Sequence, residues 1–471
     1  MGRTILRICP YVDVVAHVEG ELVLADLVRA LRRGDGLGEI AGISHRDADG
    51  TVVTGSNGEL YRPGAERLPL DYDPYFRRLE RLGILDKMNP WLPFESSRGC
   101  WYGQKVQCTF CGLHEIMSFR EWEADAVLGE LERLAAKYGI GRFYCMDLIL
   151  PRGYFKTLLP EIVRRGHDWM FFYEVKANMR RRELEVLADA GVRWVQPGIE
   201  SLDGDLLKLM RKGVSASQNV LLLKWTQELG IFCGWNLLYG LPGETQDAYD
   251  RMEALIPKLV HLEPPSGGGR FQLHRFSPYF DDPAGHGIRW TGAHPMFRHA
   301  FPIAKADLDD LVYLHEFELD YGREAVDTSR VEAAVRAWQR AFRRGAGLAL
   351  ERAPDGSSVV TDRRRPDEPP AEHRLDPAET ALYVYLDEAI ARRNLATRFA
   401  EDQPEAFRAL GGEAGVDACL EAWLHGDLAV TIDGKVLGLA LDAGRDRAPR
   451  AEPAVPASNA LDTEYVPLPA R

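Results

Sequence analysis

The chain has 471 residues, 45% of them hydrophobic and 27% charged, with a formal net charge of −13. That length allows two to four domains, each with its own core, and the acidic balance excludes the basic field that nonspecific nucleic-acid or anionic-membrane binding needs. No run approaches the eighteen apolar residues of a membrane span, and the opening Met1-Gly-Arg-Thr-Ile-Leu-Arg lacks the apolar region of a signal peptide; the expected setting is cytoplasmic.

Taken in chain order, Tyr11 to Val18 reads as a buried strand. Glu21 to Arg33 reads as a helix with Leu22, Leu24, Leu27, Val28 and Leu31 on its apolar face. Ile40 to Ser44 follows as a strand, and Asp49-Gly50 predicts a hairpin turn before Thr51-Val-Val-Thr. A Pro- and aromatic-rich stretch then predicts a linker with one short helix at Pro74 to Leu82.

A strand at Phe94 to Ser97 runs into Cys100-Trp-Tyr-Gly-Gln-Lys-Val-Gln-Cys108-Thr-Phe-Cys111. Three of the seven cysteines fall within these twelve residues. Without a secretory signal, such clustering points to metal or redox chemistry rather than disulfides. Structural zinc takes four Cys or His ligands, and only His114 stands nearby as a fourth. Three thiolates suit a [4Fe–4S] cluster with one iron left open to a small molecule. Cys145 and Cys233 lie in apolar strands and read as buried small hydrophobes. Cys9 and Cys419 fall outside this region.

Ser118-x-x-Glu121 reads as a capping box for a helix with Trp122, Leu128, Leu131, Leu134 and Tyr138 on its buried face. Strands are then expected at Arg142 to Leu148, Trp169 to Val175, Arg193 to Ile199, Ile231 to Tyr239 and Arg270 to Phe276. Helices alternate with them, the last running from Gln246 to Val260. Six strands alternating with helices imply parallel βαβ units, whose chemistry sits at the C-terminal strand ends. Six units rather than eight would leave a barrel partly open. Ala304 to Leu319 reads as a helical run covering that side. Gly345 to Arg364 reads as a hairpin turning at Asp355-Gly356, followed by a charged linker. Residues 374–441 read as three helices and a hairpin turning at Asp433-Gly434, the order of a winged-helix-like domain.

The cysteine triple, its Ser97-Arg98-Gly99 lead-in and Phe110 just before the third cysteine resemble the cluster loop of the radical S-adenosylmethionine (SAM) enzymes, C-x3-C-x2-C. The first gap here is seven residues. That spacing resembles one branch, the cobalamin-dependent C-methyltransferases that mature ribosomally made peptides. The resemblance covers about residues 90–290. It implies an α/β fold with a partial (β/α)6 barrel, a [4Fe–4S] cluster on Cys100, Cys108 and Cys111, and SAM on the open iron. It further implies that Asp147 receives the SAM amino group and Glu174 the ribose. Glu200 or Ser201 would contact SAM, and Lys212 would bind its carboxylate. Gly240 and Gly243, in Gly-Leu-Pro-Gly-Glu, would let backbone approach the adenine. Tyr102, Tyr144, Tyr239 and His274 could reach the cavity, although aromatics in strands are more often core.

On this reading residues 1–65 are the C-terminal remnant of a cobalamin-binding Rossmann-like domain. Residues 66–93 are a linker, 94–290 the partial barrel and 291–345 a helical extension. Residues 346–445 form the hairpin and winged-helix-like domain, and 446–471 a disordered tail. His17-Val-Glu-Gly20 matches the tail of an Asp-x-His-x-x-Gly cobalamin signature, but Val15 stands where the Asp belongs. His17 therefore reads as a strand-end histidine, and the chain is expected to bind cobalamin weakly or not at all. The implied partners are a ribosomally made precursor peptide and an electron donor such as flavodoxin or ferredoxin, with no nucleic acid and no membrane. The implied reaction is C-methylation at an unactivated carbon. The same radical could instead end in epimerisation, cross-linking or oxidation. A non-catalytic regulatory or scaffold protein is the reading from another class.

Overall fold

The computed structural model describes residues 1–64, 68–113, 118–319 and 326–445; the expected tail at 446–471 and His114 lie outside the described residues. At the start are helix α1 (Gly2–Ile8), strand β1 (Val14–Ala16), helix α2 (Gly20–Arg33) and strands β2 (Ile43–Arg46) and β3 (Val52–Thr54). The Asp49-Gly50 turn forms as expected, with Gly50 N–H donating to Asp47 O at 2.9 Å. Both strand pairs, β1 with β2 and β2 with β3, are antiparallel. A Rossmann-like strand–helix–strand unit requires a parallel pair, so this meander corrects the Rossmann-like expectation for the described part of residues 1–65. The apolar stripe of α2 is only partly used: Val23 and Ala30 are buried, whereas Leu24 and Leu31 are exposed. Helix α3 (Asp73–Leu82) follows where the sequence placed it.

The scaffold of the site is a parallel sheet. In chain order come β4 (Leu92–Phe94), β5 (Ser97–Arg98), β6 (Arg120–Glu121), α4 (Ala124–Tyr138), β7 (Arg142–Cys145), α5 (Leu158–Arg165) and β8 (Met170–Glu174). They are followed by α6 (Arg181–Asp189), β9 (Val192–Gln196), α7 (Gly204–Leu209), α8 (Ala216–Glu228), β10 (Phe232–Cys233), β11 (Asn236–Tyr239), α9 (Gln246–Leu255) and β12 (Gly267–Arg270). Strands β4, β7, β8, β9 and β10 form one five-stranded parallel sheet in that spatial order. A parallel bridge from Glu200 to Leu237 carries the order on to β11, which pairs parallel with β12.

Three expectations are corrected here. The Ser118-x-x-Glu121 capping box does not form, because Arg120–Glu121 pairs antiparallel with Ser97–Arg98 and α4 starts at Ala124. The fifth strand breaks at Gly234-Trp235, where the Trp235 indole turns inward to donate to Glu263 O at 3.0 Å. The sixth strand lies earlier than expected; Leu273–His274 leaves the parallel set as β13 and joins an antiparallel sheet.

Strand alternation decides what each sheet face presents. Phe143, Phe171, Tyr173 and Val195 are fully buried in the core. The opposite face carries a ladder of rings: Tyr144 to Phe172 at 4.1 Å, Phe172 to Trp194 at 4.7 Å and Trp194 to Phe232 at 6.0 Å between centroids. Two residues further along the same face are Glu174 and Gln196, at the C-terminal ends of β8 and β9.

Beyond the sheet come α10 (Pro278–Asp281), β14 (Ile288–Ala293), α11 (Pro295–Ala300), α12 (Lys305–Leu311), β15 (Leu314–Leu319) and α13 (Ser329–Arg343). The helical run expected over Ala304 to Leu319 therefore holds only to Leu311. Leu314-His-Glu-Phe-Glu-Leu alternates with period two, burying His315 and Phe317, and β15 becomes the middle strand of the β13-β15-β14 sheet.

The last segment contains β16 (Leu348–Arg352), β17 (Ser358–Asp362), β18 (Ala371–Leu375), α14 (Pro377–Tyr385), β19 (Ile390–Ala391), α15 (Leu395–Asp402), α16 (Pro404–Ala409) and α17 (Glu413–His425). It closes with β20 (Ala429–Ile432), β21 (Lys435–Gly438) and β22 (Leu441–Asp442). The β16–β17 and β20–β21 hairpins form at the turns expected. One hydrophobic core runs without a break from Leu92 in β4 to Ala440 near the end of the described chain. Polar contacts cross the same boundary. Lys224 of α8 donates to Gly438 O at 3.0 Å, and His261 shares a 2.9 Å hydrogen bond with Leu439 O.

Candidate active site

Cys100, Cys108 and Cys111 line a cavity of ≈ 220 Å³ at the C-terminal ends of β8 and β9, together with Glu174, Glu200 and Lys212. Larger surface grooves lie beside α2 (≈ 820 Å³) and beside His167 (≈ 730 Å³), but neither carries a thiol. Chemistry rather than volume marks the site.

The loop that carries the thiols is held by its own short contacts. Gln107 Nε2 donates to Cys111 O, Leu113 O and Phe276 O at 2.8, 3.0 and 3.0 Å. Thr109 Oγ1 donates to Leu209 O at 3.1 Å, tying the loop to the end of α7. Burial pushes the Cys108 thiol up and the Cys111 thiol up to about 11, with Lys212 opposing both shifts. A metal must therefore displace the protons of these thiols on binding.

Lys212 is 12% exposed and faces Glu200 at 3.4 Å. It stands on a six-residue segment between α7 and α8. Glu200 and Arg211 both have left-handed backbone, at φ +59° and +51°. Such strain in residues other than glycine clusters at functional sites. Burial pushes Glu174 up to about 7, the nearby Glu200 and Asp147 carboxylates add to this, and Lys212 opposes it.

Four expected residues are placed elsewhere. Asp147 is 1% exposed and spends its oxygens on the cluster-loop approach, accepting from Ser96 N–H at 2.7 Å, Ser96 Oγ at 2.5 Å and Ser97 Oγ at 2.8 Å. Ser201 is fully buried, with its hydroxyl aimed at Met252 Sδ and accepting from Asp203 N–H. Gly240 and Gly243 hold left-handed turn positions, φ +73° and +81°, beyond the cavity lining. In that turn Glu244 accepts from Leu241 N–H at 2.8 Å and Tyr249 OH at 2.6 Å.

Sequence reasoning missed Lys176 and Gln196, which line the cavity. Lys176 donates to the Lys212 carbonyl, and its Nζ lies 3.5 Å from the centre of the Tyr102 ring. Burial, with Lys212 second, lowers Lys176 to about 8. The signal for both was available. Lys176 lies two residues beyond Glu174 and Gln196 two beyond Trp194, so strand alternation sends each to its neighbour's face.

Among the described residues no group of three His, Cys, Asp or Glu side chains closes on a single point as a mononuclear ion requires. The three thiols instead surround a space, with two ammonium groups at its wall. That donor set fits an iron–sulfur cluster with an anionic ligand beside it better than a zinc ion. Cobalamin fares differently. His17 Nε2 lies 2.6 Å from Ser44 Oγ, in an antiparallel meander rather than the parallel Rossmann-like frame expected for a cobalamin domain.

The class is a mixed α/β fold with a parallel sheet and three thiols gathered at its C-terminal strand ends. Residues 94–256 match the radical SAM superfamily model, and this segment is a radical SAM domain. That family implies a [4Fe–4S] cluster and SAM. Similar sequences include the uncharacterized methyltransferase PH0819 of Pyrococcus horikoshii, 25% identical over 266 residues (54% of each chain). The hopanoid C-3 methylase of Methylococcus capsulatus is 27% identical over 237 residues, covering 48% of this chain and 42% of the methylase. The chain thus spans about half the length of these curated relatives. Among solved structures, the cobalamin-dependent SAM radical enzyme OxsB with aqua-cobalamin bound aligns at a TM-score of 0.50. The identity is 16%, over 88% of this chain and 59% of that one, a likeness of fold.

Proposed function

We propose that this chain is a radical SAM enzyme that modifies an unactivated carbon of a ribosomally made peptide by C-methylation. The observation that carries the SAM part is the convergence of Cys100, Cys108 and Cys111 with Lys212 and Glu200 on one cavity. The methyl outcome is supported by the relatives printed as a methyltransferase and a methylase, and the peptide by the wide first cysteine gap.

Cys100, Cys108 and Cys111 would hold a [4Fe–4S] cluster, which would supply the electron for cleavage of the SAM sulfonium to methionine and a 5′-deoxyadenosyl radical. The protein's own work is placement. The Lys212 ammonium is set to pair with the methionine carboxylate, a charge-assisted contact in a mostly buried wall. Glu200 holds that ammonium from the other side. Glu174, raised to about 7, is positioned by β8 to accept from a ribose hydroxyl. Phe110, Leu113, Leu148 and Ile149 add apolar wall to the cavity, which limits the water it holds. A methyl donor must then stand beside the cavity. The resemblance implies methylcobalamin, and the steps derived from this chain's own residues end at hydrogen abstraction.

The test is anaerobic reconstitution, reduction with dithionite and incubation with SAM carrying a trideuterated methyl group. Formation of 5′-deoxyadenosine supports the radical assignment, and label in a precursor peptide supports methyl transfer. Four irons without any 5′-deoxyadenosine would refute the reading.

A further inference from the structure

The segment that carries Lys212 is held from two sides. On the cavity side, Tyr102 OH donates to Arg211 O at 2.7 Å and Lys176 donates to Lys212 O. Gly213 has φ +61° and no room for a Cβ beneath the Tyr102 hydroxyl. Lys212 N–H donates back to Leu207 O at 3.0 Å. The segment's course is therefore set by where α7 ends and where α8 begins.

Helix α8 starts directly after this segment and α7 starts six residues before it; both starts have their own caps, but the caps leave the first amides over. Asp203 accepts from Asp205 and Leu206 N–H, and Ser215 accepts from Gln218 N–H in a capping box. The first helical N–H of α8, on Ala216, is an orphan donor that neither cap reaches. Its partner comes from 217 residues further along: Asp433 Oδ2 accepts from Ala216 N–H at 2.9 Å. The other oxygen, Oδ1, lies so close to Gly204, the first residue of α7, that a Cβ there would collide with it. One carboxylate at the tip of the β20–β21 hairpin thus abuts the N-termini of both helices that bracket the segment, where negative charge is favoured. The turn does not itself demand an aspartate. Asp433 and Gly434 both have left-handed backbone, φ +52° and +71°, which asparagine or glycine would adopt as readily.

We infer that Asp433 is a positioning residue for Lys212: the C-terminal hairpin sets the two helix starts so that the lysine is presented to the SAM carboxylate. The inference rests on the proposed role of Lys212. It gives the C-terminal segment a part in SAM binding without any contact to SAM.

Asp433→Gly deletes the carboxylate and keeps the turn without strain; Asp433→Asn keeps both the turn and an acceptor. On reconstituted full-length protein, equilibrium dialysis with SAM and, separately, with S-adenosylhomocysteine reads affinity, and iron analysis reads cluster loading. Asp433→Gly should weaken SAM binding about fivefold or more, the scale of a lost helix cap, with iron content unchanged. Asp433→Asn should recover most of the affinity. In the Lys212→Ala background Asp433→Gly should add nothing, since the group it positions is gone. SAM affinity at the wild-type level in Asp433→Gly, or equal losses with and without Lys212, overturns the positioning role while leaving Lys212 intact as the clamp. Undiminished affinity in Lys212→Ala alone overturns the reading of Lys212 and the inference with it.

Discussion

The contact between the radical SAM domain and the chain that follows it contains a buried charge quartet, and Asp387 is its most informative member. Asp387 Oδ1 faces Lys224 Nζ at 2.9 Å and accepts from Trp225 Nε1 at 3.4 Å; its Oδ2 faces Arg181 at 3.1 Å. Arg181 also pairs with Glu228, whose side chain is 1% exposed. Two cations and two anions are buried together, and the more exposed Glu185 also lies 3.3 Å from Arg181. Lys224 is 4% exposed, so in Asp387→Ala its charge would keep only Gly438 O as partner, away from solvent. Breaking a buried pair from one side costs about 3–5 kcal/mol, mostly because the remaining charge is uncompensated. Exposures of 16% and 17% for Arg181 and Asp387 leave little water to screen it. Equilibrium urea unfolding at neutral pH is the assay. The expected result is a fall in midpoint matching that range at unchanged slope, with tryptophan fluorescence and far-UV ellipticity moving together because the core is shared. Lys224→Met combined with Asp387→Leu should recover most of the loss, since both charges leave at once. A loss under about 1 kcal/mol, or a double variant no better than Asp387→Ala, would show that water reaches the quartet and that the burial argument fails.

Alanine at any one of Cys100, Cys108 or Cys111 should abolish SAM cleavage in reconstituted protein, whereas Cys145→Ala, in the core behind the sheet, should retain the wild-type iron content; four irons on the triple-alanine variant would disprove the ligand assignment. Asp147→Asn should cost about 1.5–3 kcal/mol, the scale of a hydrogen bond to a charged group. SAM affinity per folded molecule should stay unchanged, because Asp147 supports Ser96 and Ser97 rather than the cavity; a selective loss of SAM binding would return it to the site. Burial holds His261 down to about 3, below its unfolded value of about 6.5. Its contribution to stability is therefore full above pH 6.5 and declines as pH falls toward 3, at about 1.4 kcal/mol per pH unit while only the unfolded chain is protonated. Denaturation of His261→Leu between pH 4 and 7 should show a correspondingly flatter profile, and identical slopes for the two proteins would refute the assignment. Glu263, raised to about 7 by burial, acts with the opposite sign. Its contribution is full below about pH 4.5 and is lost as pH rises through 7, so Glu263→Gln should remove a decline in stability between those limits.

The sequence alone brought the three thiols together, because they fall within twelve residues of a single loop. It also determined the alternation of strands and helices, because a two-sided parallel sheet writes apolar runs of strand length between amphipathic helices. The same periodicity placed Glu174 at the end of its strand, whereas Lys212 came only from the family resemblance. Only tertiary structure decided which polar groups face the cavity. Asp147 and Glu174 each end an apolar strand run and carry the same chemistry, yet Asp147 is claimed by Ser96 and Ser97 across the neighbouring strand. Strand alternation sends Lys176 to the face of Glu174, but its contact with Tyr102, over seventy positions earlier, comes only from the fold. Strand direction was equally out of reach in residues 1–64. A strand–helix–strand pattern has the same local periodicity whether the second strand returns parallel or antiparallel, and the choice rests on backbone pairing between distant segments. The dependence of the Lys212 segment on Asp433 is of this kind too: a hairpin turn specifies its own backbone locally, but which helix starts its side chain meets is settled by the shared core.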